Sequence, residues 1–185
     1  MFVMILNTNT GHSLSCYECT GSCANQTVKT CPSGSSQCLS TTTVTQVGDT
    51  NTKVKIKGCA SACQSGSLNI GTAKTTVSCC NTDQCNLQDA PDPVPNGKKC
   101  YSCDGKSCSN TLNCSGTEDR CVKATVTSGG HVVKGCASKS ICDLAHVPGF
   151  KNVSCCEGNL CNGAQSVSQS FLFLCCSLLS YFLLH

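Results

Sequence analysis

The residues of this chain with the most chemistry in them are its cysteines. Two ten-residue stretches, Val77-Ser78-Cys79-Cys80-Asn81-Thr82-Asp83-Gln84-Cys85-Asn86 and Val153-Ser154-Cys155-Cys156-Glu157-Gly158-Asn159-Leu160-Cys161-Asn162, share the pattern V-S-C-C-x-x-x-x-C-N. Adjacent cysteines lie only about 3.8 Å apart at Cα, below the ~4.4 Å minimum of an ordinary disulfide. The two sulfurs of each pair must therefore go to different partners. One closes the short loop onto the next cysteine, and the other reaches back into the chain. Cys16-Tyr17-Glu18-Cys19 and Cys100-Tyr101-Ser102-Cys103 are Cys-x2-Cys pairs, a spacing also used by zinc sites. A zinc site collects four ligands at paired spacings, whereas each such pair here is followed by eight irregularly spaced cysteines and few histidines. Disulfides are the expected chemistry, and no metal is expected.

Other reactive constellations are sparse. Once a leader and a tail are set aside, His131 and His146 are the remaining histidines, and there is no G-x-S-x-G elbow. Gly105-Lys106-Ser107 echoes the end of a phosphate loop, but Cys100 stands where its first glycine must be. His131 reads as an exposed turn residue, and Glu118-Asp119 before Arg120 as a solvated turn. Neither catalysis nor a cofactor is expected.

Composition explains why sulfur carries so much. The chain has 185 residues, 22 of them cysteine, with no Trp, three Tyr and five Phe. That exceeds the ~8–10% cysteine that marks a disulfide scaffold, and three of the five Phe fall in the last fifteen residues. Little is left to build an apolar core, so covalent staples must replace it. Such staples persist only in an oxidising compartment, so the protein is expected to be secretory. The net charge of +3 is spread over both halves, which is not the dense basic patch of a nucleic-acid binder.

The elements that hold these cysteines form a duplication. Residues 14–88 carry cysteines at 16, 19, 23, 31, 38, 59, 63, 79, 80 and 85; residues 98–163 carry them at 100, 103, 108, 114, 121, 136, 142, 155, 156 and 161. The two sets align one to one, and Lys57-Gly58-Cys59-Ala60-Ser61 matches Lys134-Gly135-Cys136-Ala137-Ser138. In the first unit Ser40 to Gln46 reads as a Thr/Val-rich strand and Val47 to Asn51 as a turn. The return strand Lys53-Val54-Lys55-Ile56-Lys57 alternates strictly and sets three lysines on one face. Exposed strand faces routinely carry lysine, so this face reads as solvated unless it marks a contact. In the second unit Val122 to Thr127 runs up, Gly129-Gly130 turns and Val132 to Lys134 returns. A shorter hairpin precedes each of these, and a third is expected between Cys63 and Cys79 and between Cys142 and Cys155. The fold expected is all-β, small and disulfide-rich, with two tandem domains at 14–88 and 98–163.

The remaining segments address the chain. Residues 1–13 read as a truncated or partial signal peptide, since only Met1 to Leu6 is apolar; a disordered tail is the alternative. Residues 89–97, with alternating prolines, read as a semi-rigid linker. Residues 164–185 pass from polar to apolar, and Phe171 to Leu184 would span about 21 Å as a helix, short of the ~30 Å hydrocarbon core. Small residues, a polar spacer and a short apolar end form a glycosylphosphatidylinositol (GPI) attachment signal, with Asn162 as attachment residue and Gly163 as alternative. A short transmembrane span and cleavage to a soluble form are the competing readings. Loss of the tail removes Cys175 and Cys176 and leaves twenty cysteines. Sequons stand at Asn25, Asn113 and Asn152; the middle one contains Cys114, which should hinder glycosylation.

Roughly nine hundred pairings are open to ten cysteines, and spacing alone does not choose among them. The order C-x2-C…C…C…C…C…C…CC-x4-CN resembles the lymphocyte-antigen-6/urokinase-receptor family of three-finger, snake-toxin-like domains, over residues 14–162. That resemblance implies the pairs Cys16–Cys38, Cys19–Cys23, Cys31–Cys59, Cys63–Cys79 and Cys80–Cys85. In the second unit it implies Cys100–Cys121, Cys103–Cys108, Cys114–Cys136, Cys142–Cys155 and Cys156–Cys161. It also implies that Asn86 and Asn162 hydrogen-bond within the base of their domains, a role that competes with Asn162 as the anchor residue and leaves Gly163 next in line. The family's three-domain receptor has a first domain lacking one disulfide; both units here have the full set, so urokinase binding is not implied. The expected function is that of a GPI-anchored cell-surface glycoprotein that recognises an extracellular or cell-surface protein, through finger tips Val47 to Asn51 and Ser128 to His131. The competing reading is a secreted inhibitor of an extracellular enzyme, as of a phospholipase.

Overall fold

The computed structural model describes residues 13–89 and 93–163. Most of the expected leader, residues 90–92 of the linker, and the tail from 164 with Cys175 and Cys176 lie outside the described residues. Contact density divides the described chain into two compact units: 13–66 with 73–89, and 67–72 with 93–163.

In the first unit a short hairpin joins β1 (Ser15–Gly21) to β2 (Thr27–Thr30), and a long one joins β3 (Gln37–Val47) to β4 (Thr50–Ala60). The run Thr41-Thr42-Thr43-Val44-Thr45 is β-branched throughout, which favours a pleated strand. The strands run further than the sequence pattern implied because the turn is tight: Val47 faces Thr50, and only Gly48 and Asp49 lie between. Gly48 has φ +60, the conformation that a two-residue hairpin asks of its first central residue. After β5 (Gly66–Asn69), β6 (Ala73–Cys80) pairs with β3, so the first unit has the strand order β6-β3-β4-β1-β2.

The second unit repeats this plan with one change. β7 (Pro95–Ser102) and β8 (Asn110–Ser115) form a two-stranded sheet, and β9 (Arg120–Val126) and β10 (Val132–Ala137) form the long hairpin. The expected hairpin between Cys142 and Cys155 is not there. A single helical turn, α1 (Lys139–Cys142), leads into the stretch, no rising strand forms within it, and only the return strand β11 (Phe150–Cys156) does, paired with β9. Locally, Lys139 and Asp143 form an exposed i,i+4 ion pair at 2.5 Å, and Pro148 removes a ladder donor before the return strand. Leu68 and Asn69 pair with Ala137 and Cys136 on the free edge of β10.

Burial shows what replaces a core. In the first unit the buried residues counted as hydrophobic are Cys16, Cys31 and Cys38. In the second, Cys100, Cys114, Cys121 and Cys136 are joined by Val122, Ala124, Val133 and Ala137. Cys16 Sγ lies 3.2 Å from Cys31 Sγ, and Cys100 Sγ lies 3.4 Å from Cys114 Sγ, so disulfides pack against disulfides.

Candidate recognition surface

The base of each unit is built from sulfur and one asparagine. The bonded pairs are Cys16–Cys38, Cys19–Cys23, Cys31–Cys59, Cys63–Cys79 and Cys80–Cys85. The second unit has Cys100–Cys121, Cys103–Cys108, Cys114–Cys136, Cys142–Cys155 and Cys156–Cys161. Of each vicinal pair, the first cysteine reaches back and the second closes forward. The sulfurs of Cys16, Cys31 and Cys59, and of Cys100, Cys114 and Cys136, lie within 4.8 Å of one another. Each is already bonded to another sulfur, so none offers the thiolate that a zinc ion would require.

Asn86 accepts the Tyr17 N–H at 2.9 Å and donates to the Tyr17 and Leu39 carbonyls, both at 2.9 Å. Asn162 does the same with Tyr101 N–H, Tyr101 O and Val122 O, and its amide also lies 3.4 Å from Gly135 O. Both asparagines are buried. Each stitches the last turn of its unit to the first strand and to the long hairpin.

The two faces of the β3–β4 hairpin differ. Directly opposed residues share a face, and alternate residues change it. Val47, Val54 and Ile56 stand on one face with Thr41 and Thr43, and are 72%, 41% and 47% exposed. Along β4, β3 and β6, none of the positions on this face is charged. Thr43 shares a hydroxyl hydrogen bond with Thr75 of β6 at 3.1 Å.

The opposite face carries Lys53, Lys55 and Lys57, and here a solvated strand face does not describe the structure. Lys57 is 3% exposed and donates to Leu87 O at 2.6 Å and Asp89 Oδ1 at 3.1 Å. Lys55 meets the other Asp89 oxygen at 2.5 Å. Lys55, and behind it Lys57, hold the Asp89 carboxyl below its ordinary range, against the opposing effect of burial. Strand alternation puts the lysines on one face; the return of Leu87 and Asp89 to that face is a tertiary fact.

In the second unit the equivalent lysine, Lys134, is also buried. Its ammonium sits 5.8 Å from the Tyr101 ring centre and 3.4 Å from Cys108 O. Burial, with Lys123 nearby, lowers its pKa. The Cys103–Cys108 loop is also tied by Asp104, whose Oδ1 accepts the N–H groups of Lys106 and Ser107 at 2.8 Å. The Ser107 N–H, then Asn110 and the Lys106 N–H, pull the Asp104 carboxyl from the ordinary 3.8 to about 2.

Glu118 is the residue that sequence reasoning misplaced. Instead of lying in a solvated turn, it is fully buried. It accepts the Ser115 N–H at 2.8 Å, the Ser115 hydroxyl at 3.4 Å and the Ser67 hydroxyl at 3.0 Å. Ser115-Gly116-Thr117-Glu118 fits S-x-x-E, in which the glutamate reaches back to the serine N–H; that signal could have found it. Asp119 is exposed, but it accepts the Lys139 N–H at 2.7 Å and pairs with Arg120 at 3.1 Å.

The tips and sequons are at the surface. Val47 to Asn51 and Ser128 to His131 are exposed, and Gly129 and Gly130 take φ of +97 and +68. His131 and His146 are exposed and separate in the fold's loops. Asn25 and Asn152 are exposed; Asn152 sits at φ +52 where the β11–β9 register shifts. Asn113 is exposed too, but Ser115 of its sequon is buried and bonded to Glu118. The apolar pocket among Val122, Ala124, Val133, Ile141 and Phe150 has room for about 10 Å³, one water's worth. It is core.

Comparison with known proteins agrees with this geometry. Residues 12–88 match the u-PAR/Ly-6 domain, and residues 99–162 match the domain of snake toxins and toxin-like proteins. The chain is 39% identical over 110 residues to the urokinase plasminogen activator surface receptor of Bos taurus, covering 45% of this chain and 31% of the receptor. To the Rattus norvegicus receptor it is 36% identical over 130 residues, 56% of this chain and 39% of the receptor. The chain thus spans less than half the length of those receptors. It is 34% identical over 95 residues to the prostate stem cell antigen of Mus musculus, 44% of this chain and 77% of that antigen. With two disulfide-stapled units, matching domain signatures and a relative aligned over most of its length, the chain belongs to the u-PAR/Ly-6 family.

Proposed function

We propose that this protein is a cell-surface recognition protein that binds a protein partner through its three-finger domains, at 14–88 and 98–163, and performs no catalysis. The observation that carries this reading is the uncharged face of the β3–β4 hairpin, where Val47, Val54 and Ile56 remain 72%, 41% and 47% exposed. Exposed β-branched residues grouped on one face cost solvation that a partner would recover. The hairpin is pre-organised by Cys16–Cys38 and Cys31–Cys59 at its base, which lowers the ordering cost of binding. The relatives named as a surface receptor and as a cell antigen support a cell-surface address.

The triple variant Val47→Ser, Val54→Thr, Ile56→Thr tests the surface. It should keep its disulfides and midpoint of unfolding while losing binding to cells that bind the parent protein. Unchanged binding would reject this face, and the Ser128 to His131 tip would be exchanged next.

Membrane attachment is by a GPI anchor in this reading. Asn162 is buried and fully hydrogen-bonded within the base, which favours Gly163 as attachment residue. Phosphatidylinositol-specific phospholipase C should release the protein from expressing cells; protein already free in the medium would favour the secreted form. Exposure of Asn25 and Asn152 supports glycans at both, and the engaged Ser115 argues against Asn113. Loss of two mass shifts in the Asn25→Gln, Asn152→Gln variant is the check.

A further inference from the structure

The lysine face of the first unit already holds an anion, and that anion belongs to the chain itself. Register places three rows on this face: Lys53–Val44–Lys74, Lys55–Thr42–Thr76 and Lys57–Ser40–Ser78. Rows two residues apart are about 6.8 Å apart, and residues separated by one strand are about 10 Å apart. At one end the Asp89 carboxylate bridges Lys55 and Lys57 at 2.5 and 3.1 Å. At the other, Lys53 is exposed. We propose that this face docks a sulfated polysaccharide, and that Asp89 occupies the place of one sulfate group.

Charge and shape favour that partner over an acidic peptide. Val44 is the one apolar residue in the three rows, which leaves little for the apolar side chains that give a peptide its specificity to bury against. Lys57 and Ser40 are buried, whereas Lys53 is exposed and Lys55, Thr42 and Thr76 are half-buried; the ammonium groups and hydroxyls of that open end suit a linear polyanion, because lysine acts as a rotatable point charge with three donors. No acidic residue shares the three rows, and Asp89, which reaches the face from outside them, is seated as a ligand would be. The carboxylate then acts as an internal competitor: it offsets one of the two positive charges of Lys55 and Lys57 until a denser anion takes its place at Lys55. This face is opposite the apolar one assigned above to a protein partner, so the two proposals stand or fall separately.

The test uses the full chain, disulfides formed, on a column of heparin as the sulfated probe, loaded at about 0.15 M salt. The parent protein should be retained. Asp89→Asn should bind roughly threefold or more tightly and elute at higher salt, the scale of one partly exposed charge pair. Lys53→Gln should elute earlier, and Lys151→Gln, in the second unit, should elute with the parent. Lys53 makes the test independent of any folding defect in the Asp89 variant, because its side chain is exposed. Passage of both parent and Asp89→Asn through the column would overturn the proposal, as would Lys53→Gln eluting with Lys151→Gln. Equal retention on polyglutamate would overturn the polysaccharide in favour of an acidic peptide.

Discussion

Asn86 and Asn162 each satisfy both polar groups of a tyrosine in the first strand of their unit and at least one carbonyl of the long hairpin. Buried backbone groups left without partners cost about 1–3 kcal/mol each. Asn86→Ala should therefore destabilise the first unit by about 2–4 kcal/mol, read as a lower denaturation midpoint. Asn86→Asp should be as damaging, because it replaces the donor to two carbonyls with an acceptor. Asp104 makes a pH prediction. Its folded pKa of about 2 lies below the ordinary 3.8, so its contribution is present above pH ~4 and is lost as pH falls toward 2. Asp104→Asn should flatten the dependence of stability on pH in that window, and thermal melts at stepped pH will show it. Of these residues, the asparagines announce themselves by following the last cysteine of each unit. For Glu118 the S-x-x-E pattern carries the bond to Ser115, whereas its bond to Ser67, fifty-one residues away, has no local signal.

Repeated elements allow a controlled comparison between units. Gly58 and Gly135 hold equivalent places in the duplicated K-G-C-A-S stretch. A Cβ at Gly58 would meet nothing within 4 Å, whereas one at Gly135 would collide with the Asn69 carbonyl oxygen beside β10. Gly135→Ala should therefore unseat the pairing of Leu68 and Asn69 with β10 and cost about 1–3 kcal/mol, as overpacking typically does. Gly58→Ala should be close to neutral. Hydrogen exchange at Ala137 and Cys136 separates the two. The long hairpins were legible from alternation and turn residues. The single helical turn Lys139–Cys142 was not, because four residues carry too little periodicity to tell a helix from a strand.

At the scale of the whole molecule, cross-links substitute for apolar volume, and their value depends on where they sit. In the loop-closure description Cys16–Cys38, separated by 22 residues, contributes about 3.4 kcal/mol. Cys19–Cys23, separated by four, contributes about 1.9 kcal/mol. Replacing both cysteines of the first pair with Ala also removes fully buried sulfur, so secretion of that variant should collapse. The Cys19→Ala, Cys23→Ala variant should still be secreted, with a lower midpoint; equal yields would contradict this ranking of the two bridges. Composition and repetition are properties of the linear chain, so cysteine content, the doubled C-C-x4-C-N ending and strand alternation were enough to determine an all-β, disulfide-built fold in two copies. Which lysine face is covered and which glutamate is buried depend on neighbours brought from tens of residues away. Such contacts are settled by the packing of one hairpin against another, and only the tertiary structure decided them.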